Sequence, residues 1–137
     1  MDEIVEKAKL ANNIDEAIAK LTDELLPMLN EAGREYIFIN DRFNAFGDQT
    51  VLDNNRILIE NVQNKGRQLI RLKDEQKKTQ DELGNMCSAK WNELSTALRN
   101  DPVKSFFYNI YFEKYYNAVR LGGLIPMLQD LDKFLHH

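Results

Sequence analysis

Apolar residues at the start of the chain recur in steps of three and four: Ile4, Ala8, Ala11, Ile14, Ile18, Leu21, Leu25, Met28, Ala32, Tyr36, Ile39, Phe43 and Phe46. At 3.6 residues per turn such steps lay one stripe on one face, so the spacing predicts a helical first arm over residues 1–46. Pro27 lacks a backbone donor and is expected to kink this arm near Asp23. Asn13 followed by Glu16 resembles a capping box at which the helix would restart. The β-branched and aromatic run Tyr36-Ile37-Phe38-Ile39 also suits a strand. Helix is preferred there, because the stripe passes through in register and no second strand is recognisable as a partner.

Residues 47–50, Gly-Asp-Gln-Thr, read as a turn: Gly47 suits a left-handed C-cap and Thr50 an N-cap. A second arm follows over residues 51–100, with the seam Leu52, Asn55, Ile59, Val62, Gly66, Leu69, Lys73, Gln76, Gln80, Leu83, Cys87, Trp91 and Leu94. A short turn makes the arms antiparallel neighbours, and folding about residues 47–50 pairs residues whose numbers add to about 97. That register sets Met28 against Leu69, Leu25 against Leu72, Ile14 against Leu83, and Ala32 with Gly33 against Gly66. It also sets Lys73, Lys77 and Lys78 against Asp15, Glu16, Asp23 and Glu24. Gly84-Asn85 is the expected break in this arm, since glycine costs about 1 kcal/mol in a helix interior.

Residues 101–137 form a cap. Asp101 is the expected N-cap with Pro102 at the first helical position, and the helix that follows carries Val103, Phe106, Phe107, Ile110, Tyr111, Phe112, Tyr115, Tyr116 and Val119. Reversal at Asp101 brings Phe106, Ile110 and Tyr115 near Leu94, Trp91 and Cys87. Gly122-Gly123 stops this helix, and Pro126 opens a last one with Met127, Leu128, Leu131, Phe134 and Leu135 on one face. The predicted fold class is therefore all-α: an elongated antiparallel helical hairpin, coiled-coil-like, with the C-terminal helices packed against one end. It amounts to four or five helices in a single domain, residues 1–137.

Composition narrows the function classes. With 29% charged and 43% apolar residues in 137, the chain has the balance of a folded domain. A net charge of -4 and a pI of about 5.2 argue against nucleic acid, whose binding rests on clustered Lys and Arg. Arg67, Arg71, Lys77 and Lys78 are interleaved with Asp74, Glu75, Asp81 and Glu82, which breaks up any basic stripe. No window of the sequence approaches a membrane span. The acidic opening Met1-Asp2-Glu3 lacks the basic and apolar regions of a signal peptide. The expected location is intracellular (cytoplasmic), or outside the cell by export without a cleavable signal peptide.

Candidate chemistry is sparse. The lone Cys87 lies on the seam and reads as a small buried hydrophobe, with no His in the helical chain to activate it. Both His residues are at the end and no Cys-x-x-Cys occurs, so no zinc site is expected. No Gly-rich phosphate loop and no Glu-x-x-His pair is present. No cofactor, metal or small molecule is therefore expected. Trp91-Asn92-Glu93 lies inside a helix, unlike the Trp-x-Gly turn of secreted helical-hairpin proteins, and the motifs assign the chain to no family.

These readings point to a non-catalytic protein–protein interaction module (a scaffold, adaptor or secretion or assembly partner) acting by helix-on-helix docking and expected to self-associate, with a protein partner or a homo-oligomer. Tyr36, Phe38, Phe43, Tyr108, Tyr111 and Tyr115 are the candidate partner-binding residues, since Tyr and Trp are enriched at interface hot spots. Two other classes stand beside it. One is an acidic inhibitor or immunity-type protein that blocks an enzyme or a nucleic-acid-binding protein. The other is a helical carrier or enzyme with a pocket under the aromatic cap, lined by Tyr108, Trp91 and Tyr115.

Overall fold

A computed structural model describes the backbone of residues 1–31, 34–39, 42–47 and 56–136, with side chains for 1–28 and 60–136. In order the elements are α1 (Asp2–Glu31), β1 (Arg34–Ile39), β2 (Arg42–Gly47), α2 (Arg56–Asn100), a 3-10 turn (Lys104–Phe107), α3 (Tyr108–Leu121) and α4 (Leu124–Leu135). The fold is all-α, with four α-helices among the described residues and one two-stranded ladder set between the first two.

The first arm departs from expectation at its end. α1 runs unbroken through Asn13 and Glu16 and continues past Pro27 to Glu31. Beyond it the chain is extended. β1 pairs antiparallel with β2, Tyr36 opposite Ala45 and Phe38 opposite Phe43. The helical reading of Tyr36-Ile37-Phe38-Ile39 is thus corrected to strand. Its partner strand hides in the continuation of the same helical stripe, and the local β-propensity prevails. Gly47 is the last residue of β2 rather than the start of an inter-arm turn; residues 48–50 lie outside those described. α2 passes through Gly84-Asn85 without a break, its ladder outweighing the modest glycine penalty.

The chain forms two compact units: Leu10–Thr79, and Met1–Lys9 together with Gln80–His137. In the first, α1 and α2 run antiparallel. Lys65 Nζ donates to Glu24 Oε2 at 2.9 Å and Gln76 Nε2 to Asp15 Oδ1 at 2.6 Å. These numbers add to 89 and 91, not 97, so the expected register is shifted by about two turns. The cause is the ladder: the helices do not meet at residues 47–50 but flank a segment from Glu31 to Arg56, whose midpoint lies earlier in the chain. At the observed register Leu21 lies level with Leu69, Ile18 with Leu72 and Met28 with Val62. Leu21, Leu25, Val62 and Leu69 form the buried cluster, with Ile18, Met28 and Leu72 packed against it. Glu24 meets Lys65 instead of the Lys73 group. Gly66 is buried, while Ala32 and Gly33, its expected partners, lie outside the described residues.

The second unit is a small helical bundle. Cys87, Trp91, Leu94 and Leu98 of α2 repeat in steps of four and three and so share one face. They bury against Ile4 of α1 and Met127, Leu128 and Leu131 of α4. Lys7 Nζ bridges Glu82 Oε2 at 2.6 Å at the edge of this core. The reversal after α2 is capped as expected: Asp101 Oδ1 accepts the Val103 and Lys104 amides, both at 2.8 Å. Those two backbone donors, the Lys104 amide first and the Val103 amide second, hold the Asp101 carboxyl below the ordinary carboxylate range. Gly122 and Gly123, at φ 93° and 82°, adopt backbone that favours glycine and turn the chain from α3 into α4, which starts at Leu124, two residues before Pro126.

Two outcomes test this description. In a Cys87→Ser background, the pair Leu21→Cys and Leu69→Cys should oxidise to an intramolecular disulfide, whereas Met28→Cys with Leu69→Cys should not, as read by non-reducing electrophoresis and mass. Leu128→Ala, which empties a fully enclosed site, should lower unfolding free energy by about 2–5 kcal/mol in chemical denaturation.

Candidate interaction surface

The geometry of interest is that of α3, because no residue of this helix is fully buried. Its inner side is Tyr108, Tyr111, Tyr115 and Ala118, at steps of three and four, packed partly buried on the bundle core. The Tyr115 ring stacks on Trp91 with centroids 4.2 Å apart and planes within 4°. Tyr111 leans on Phe134 at 5.3 Å, and Phe107 meets the same ring edge-on at 5.2 Å. Arg99 lies over the Tyr108 ring at 5.1 Å. Lys104 Nζ donates to the carbonyls of Phe134 and Leu135 at 2.7 and 3.1 Å, placing a cation at the C-terminal end of α4 where the helix dipole favours it. Burial first, and the Asp130 carboxylate second, push the Tyr111 hydroxyl up from its ordinary pKa.

Of the six residues expected to bind a partner, Tyr108, Tyr111 and Tyr115 thus face the core, and the structure brings them together as the layer that seats α3. The space beneath the cap between Trp91 and Tyr115 is filled by their own stacking. Tyr36, Phe38 and Phe43 lie on β1 and β2, in the other unit, with Phe38 and Phe43 as register partners; their side chains are outside those described. The expectation that Phe106 and Ile110 pack near Leu94 and Trp91 is corrected: Phe106 is 85% exposed and Ile110 half exposed. The 3-10 turn before Tyr108 changes the angle per residue, and this rotates the inward face from Phe106 and Ile110 to Tyr108 and Tyr111.

What α3 and the turn before it show to solvent is rich in apolar residues, set among Asn109, Glu113, Lys114, Asn117 and Arg120. Val103 and Leu121 are 72% and 78% exposed, and Phe106 and Ile110 are exposed as well. Phe112, Tyr116 and Val119, at steps of four and three, form a stripe with exposures of 49% to 57%. Arg120 lies over the Tyr116 ring at 5.8 Å. The stripe leads into a groove of about 470 Å³ between α3, α2 and the start of α4. Leu83, Gly84 and Cys87 form one wall, Ala118 and Val119 another, and Gly122 to Pro126 the end. Among the described residues Gln80 supplies the one polar side chain of this lining. A Cβ at Gly84, Gly122 or Gly123 would meet nothing within 4 Å, so the glycines leave the groove open.

Among the described residues no group of His, Cys, Asp and Glu could hold a metal ion, and no helix is long and apolar enough to cross a membrane. The chain matches no family model, and no curated protein or solved structure matches it.

Cys87 borders the groove but is 3% exposed, and burial pushes its thiol pKa up. The neutral thiol is therefore favoured at pH values where a free cysteine is already partly thiolate. Its reaction with Ellman's reagent at pH 8 should be at least about tenfold slower in the native protein than in denaturant, with the native rate still rising above pH 9. Stopped-flow absorbance checks this.

Proposed function

We propose that the chain is a non-catalytic protein–protein interaction module whose docking surface is the outer side of α3 and the turn before it. The observation that carries this reading is the exposure of Val103, Phe106, Ile110, Phe112, Tyr116, Val119 and Leu121 together. At about 150–250 Å² for a whole aromatic side chain and somewhat less for an aliphatic one, these amount to several hundred square ångströms of apolar surface, divided between two flanks of α3. The largest patch of an ordinary monomer is roughly 300–600 Å² and is itself often functional.

The reading is one of docking rather than chemistry or carriage. A small-molecule site places several polar groups around an apolar lining to fix its ligand, and here Gln80 stands alone in that role among the described lining residues. Helix-in-groove recognition needs what α3 offers, a row of apolar anchors on a rigid helix seated by its opposite face. Phe106, which projects furthest, is the natural anchor.

Replacing Phe106 with a photoreactive benzoylphenylalanine in the source cells should give a discrete cross-linked protein adduct on irradiation. The same substitution at Thr96, exposed on α2, should not. Equal, diffuse labelling from both positions would remove the proposal.

A further inference from the structure

We infer that the groove beside Val119 is the seat for Phe112 of a second copy of this chain, in an antiparallel α3–α3 pair about a two-fold axis. This rests on the interaction reading above and names one partner for it. Three observations converge. Phe112, Tyr116 and Val119 form a continuous stripe on α3, half exposed and spaced as the seam of a helix pair. The stripe ends in an open apolar groove lined in part by Gly84, Gly122 and Gly123, at which an added Cβ would meet nothing within 4 Å. Glu113 and Arg120 each follow a stripe residue by one position, so opposite charges lie along the same flank, one near each end.

Antiparallel pairing makes these features fit each other. When Tyr116 of one copy lies beside Val119 of the other, Phe112 falls at the level of Gly123, over the groove. In that register Glu113 of each copy flanks Arg120 of the other, because flanking positions of the same kind face each other in antiparallel pairs. The two-fold axis repeats each contact. A parallel pair would put Glu113 and Arg120 of the two copies on opposite flanks of the seam, out of reach of each other, and would leave the groove unfilled. Arg120 already lies along the stripe, over Tyr116, so little side-chain reorganisation is needed. Val103, Phe106, Ile110 and Leu121 stay open in the pair.

The test is the association state of the whole chain by sedimentation equilibrium, with circular dichroism to confirm helicity. Wild type should dimerise in the micromolar range. Glu113→Arg alone and Arg120→Glu alone should each weaken the dimer at least tenfold by setting like charges together. The double variant should return to within threefold of wild type, and an equimolar mixture of the two single variants should form a heterodimer. Gly84→Leu, which adds a good helix former in open space and fills the groove, should keep the fold and weaken the dimer at least tenfold. Restoration by the double swap establishes the antiparallel register. A wild type that is monomeric at several hundred micromolar overturns the inference, as does a dimer indifferent to the swaps and to Gly84→Leu. If the chain is monomeric yet Phe106 still cross-links to one discrete protein, the pair fails and the interaction reading stands; if both are negative, both fail.

Discussion

The bundle core of Leu94, Leu98, Leu128 and Leu131 is covered in part by the Tyr108, Tyr111 and Tyr115 layer of α3, and this contact governs what α3 can do. These four leucines join α2 to α4 with no exposure beyond 2%. α3 packs on this core by one side, seated by the Tyr108–Tyr111–Tyr115 layer. A helix held by one face leaves the rest of its circumference to water. An α3 that had evolved only to cover the core would be polar on its outer side. It carries Ile110, Phe112, Tyr116, Val119 and Leu121 there beside Asn109, Glu113, Lys114, Asn117 and Arg120, and these exposed apolar positions are what support the proposed partner.

Helical periodicity makes most of the helices legible: the stripe from Ile4 to Met28 lies on α1, and Val62 to Leu98 lie on α2. It does not set where one arm ends. The steps of three and four run on from Met28 to Phe46, while β1 and β2 alternate with a period of two over a stretch too short for the difference to show. Register suffers from the same ambiguity. A turn placed at Gly47 to Thr50 puts each pair about two turns out. The charges do not correct it, because acidic residues are spread along α1 and Lys65 is as good a partner for Glu24 as the Lys73 group. Exposed pairs of this kind are worth less than about 1 kcal/mol and do not choose between registers.

The surface is legible in kind but not in residue. An aromatic cap with more apolar residues than one face can hold is visible in the spacing of Val103 to Val119. Which of them face inward depends on the rotation of α3, and that is set by the 3-10 turn from Lys104 to Phe107, which leaves no mark in a periodicity count. The regular row Tyr108, Tyr111, Tyr115, Ala118 is the available signal. Each tyrosine in it can bury its ring while keeping its hydroxyl near the boundary with water. Bare phenylalanines at Phe106 and Phe112 gain nothing from exposure, which makes them better evidence for an interface than tyrosines are.

Gly84 shows how one residue can be read in two ways. In the sequence it marks a break, because glycine weakens a helix. In the structure the helix is continuous, the backbone there is ordinary, and a side chain would meet open space. Neither conformation nor crowding therefore requires glycine at this position, although Ala would favour the helix by roughly 0.5–1 kcal/mol. The cost becomes intelligible if the space itself has a use. Gly84 lies where α2 passes under the end of the Phe112–Tyr116–Val119 stripe, and any larger residue would begin to close the groove that an incoming aromatic ring would fill. On the proposed pairing, a glycine that the fold does not need leaves room for the ring that docks above it.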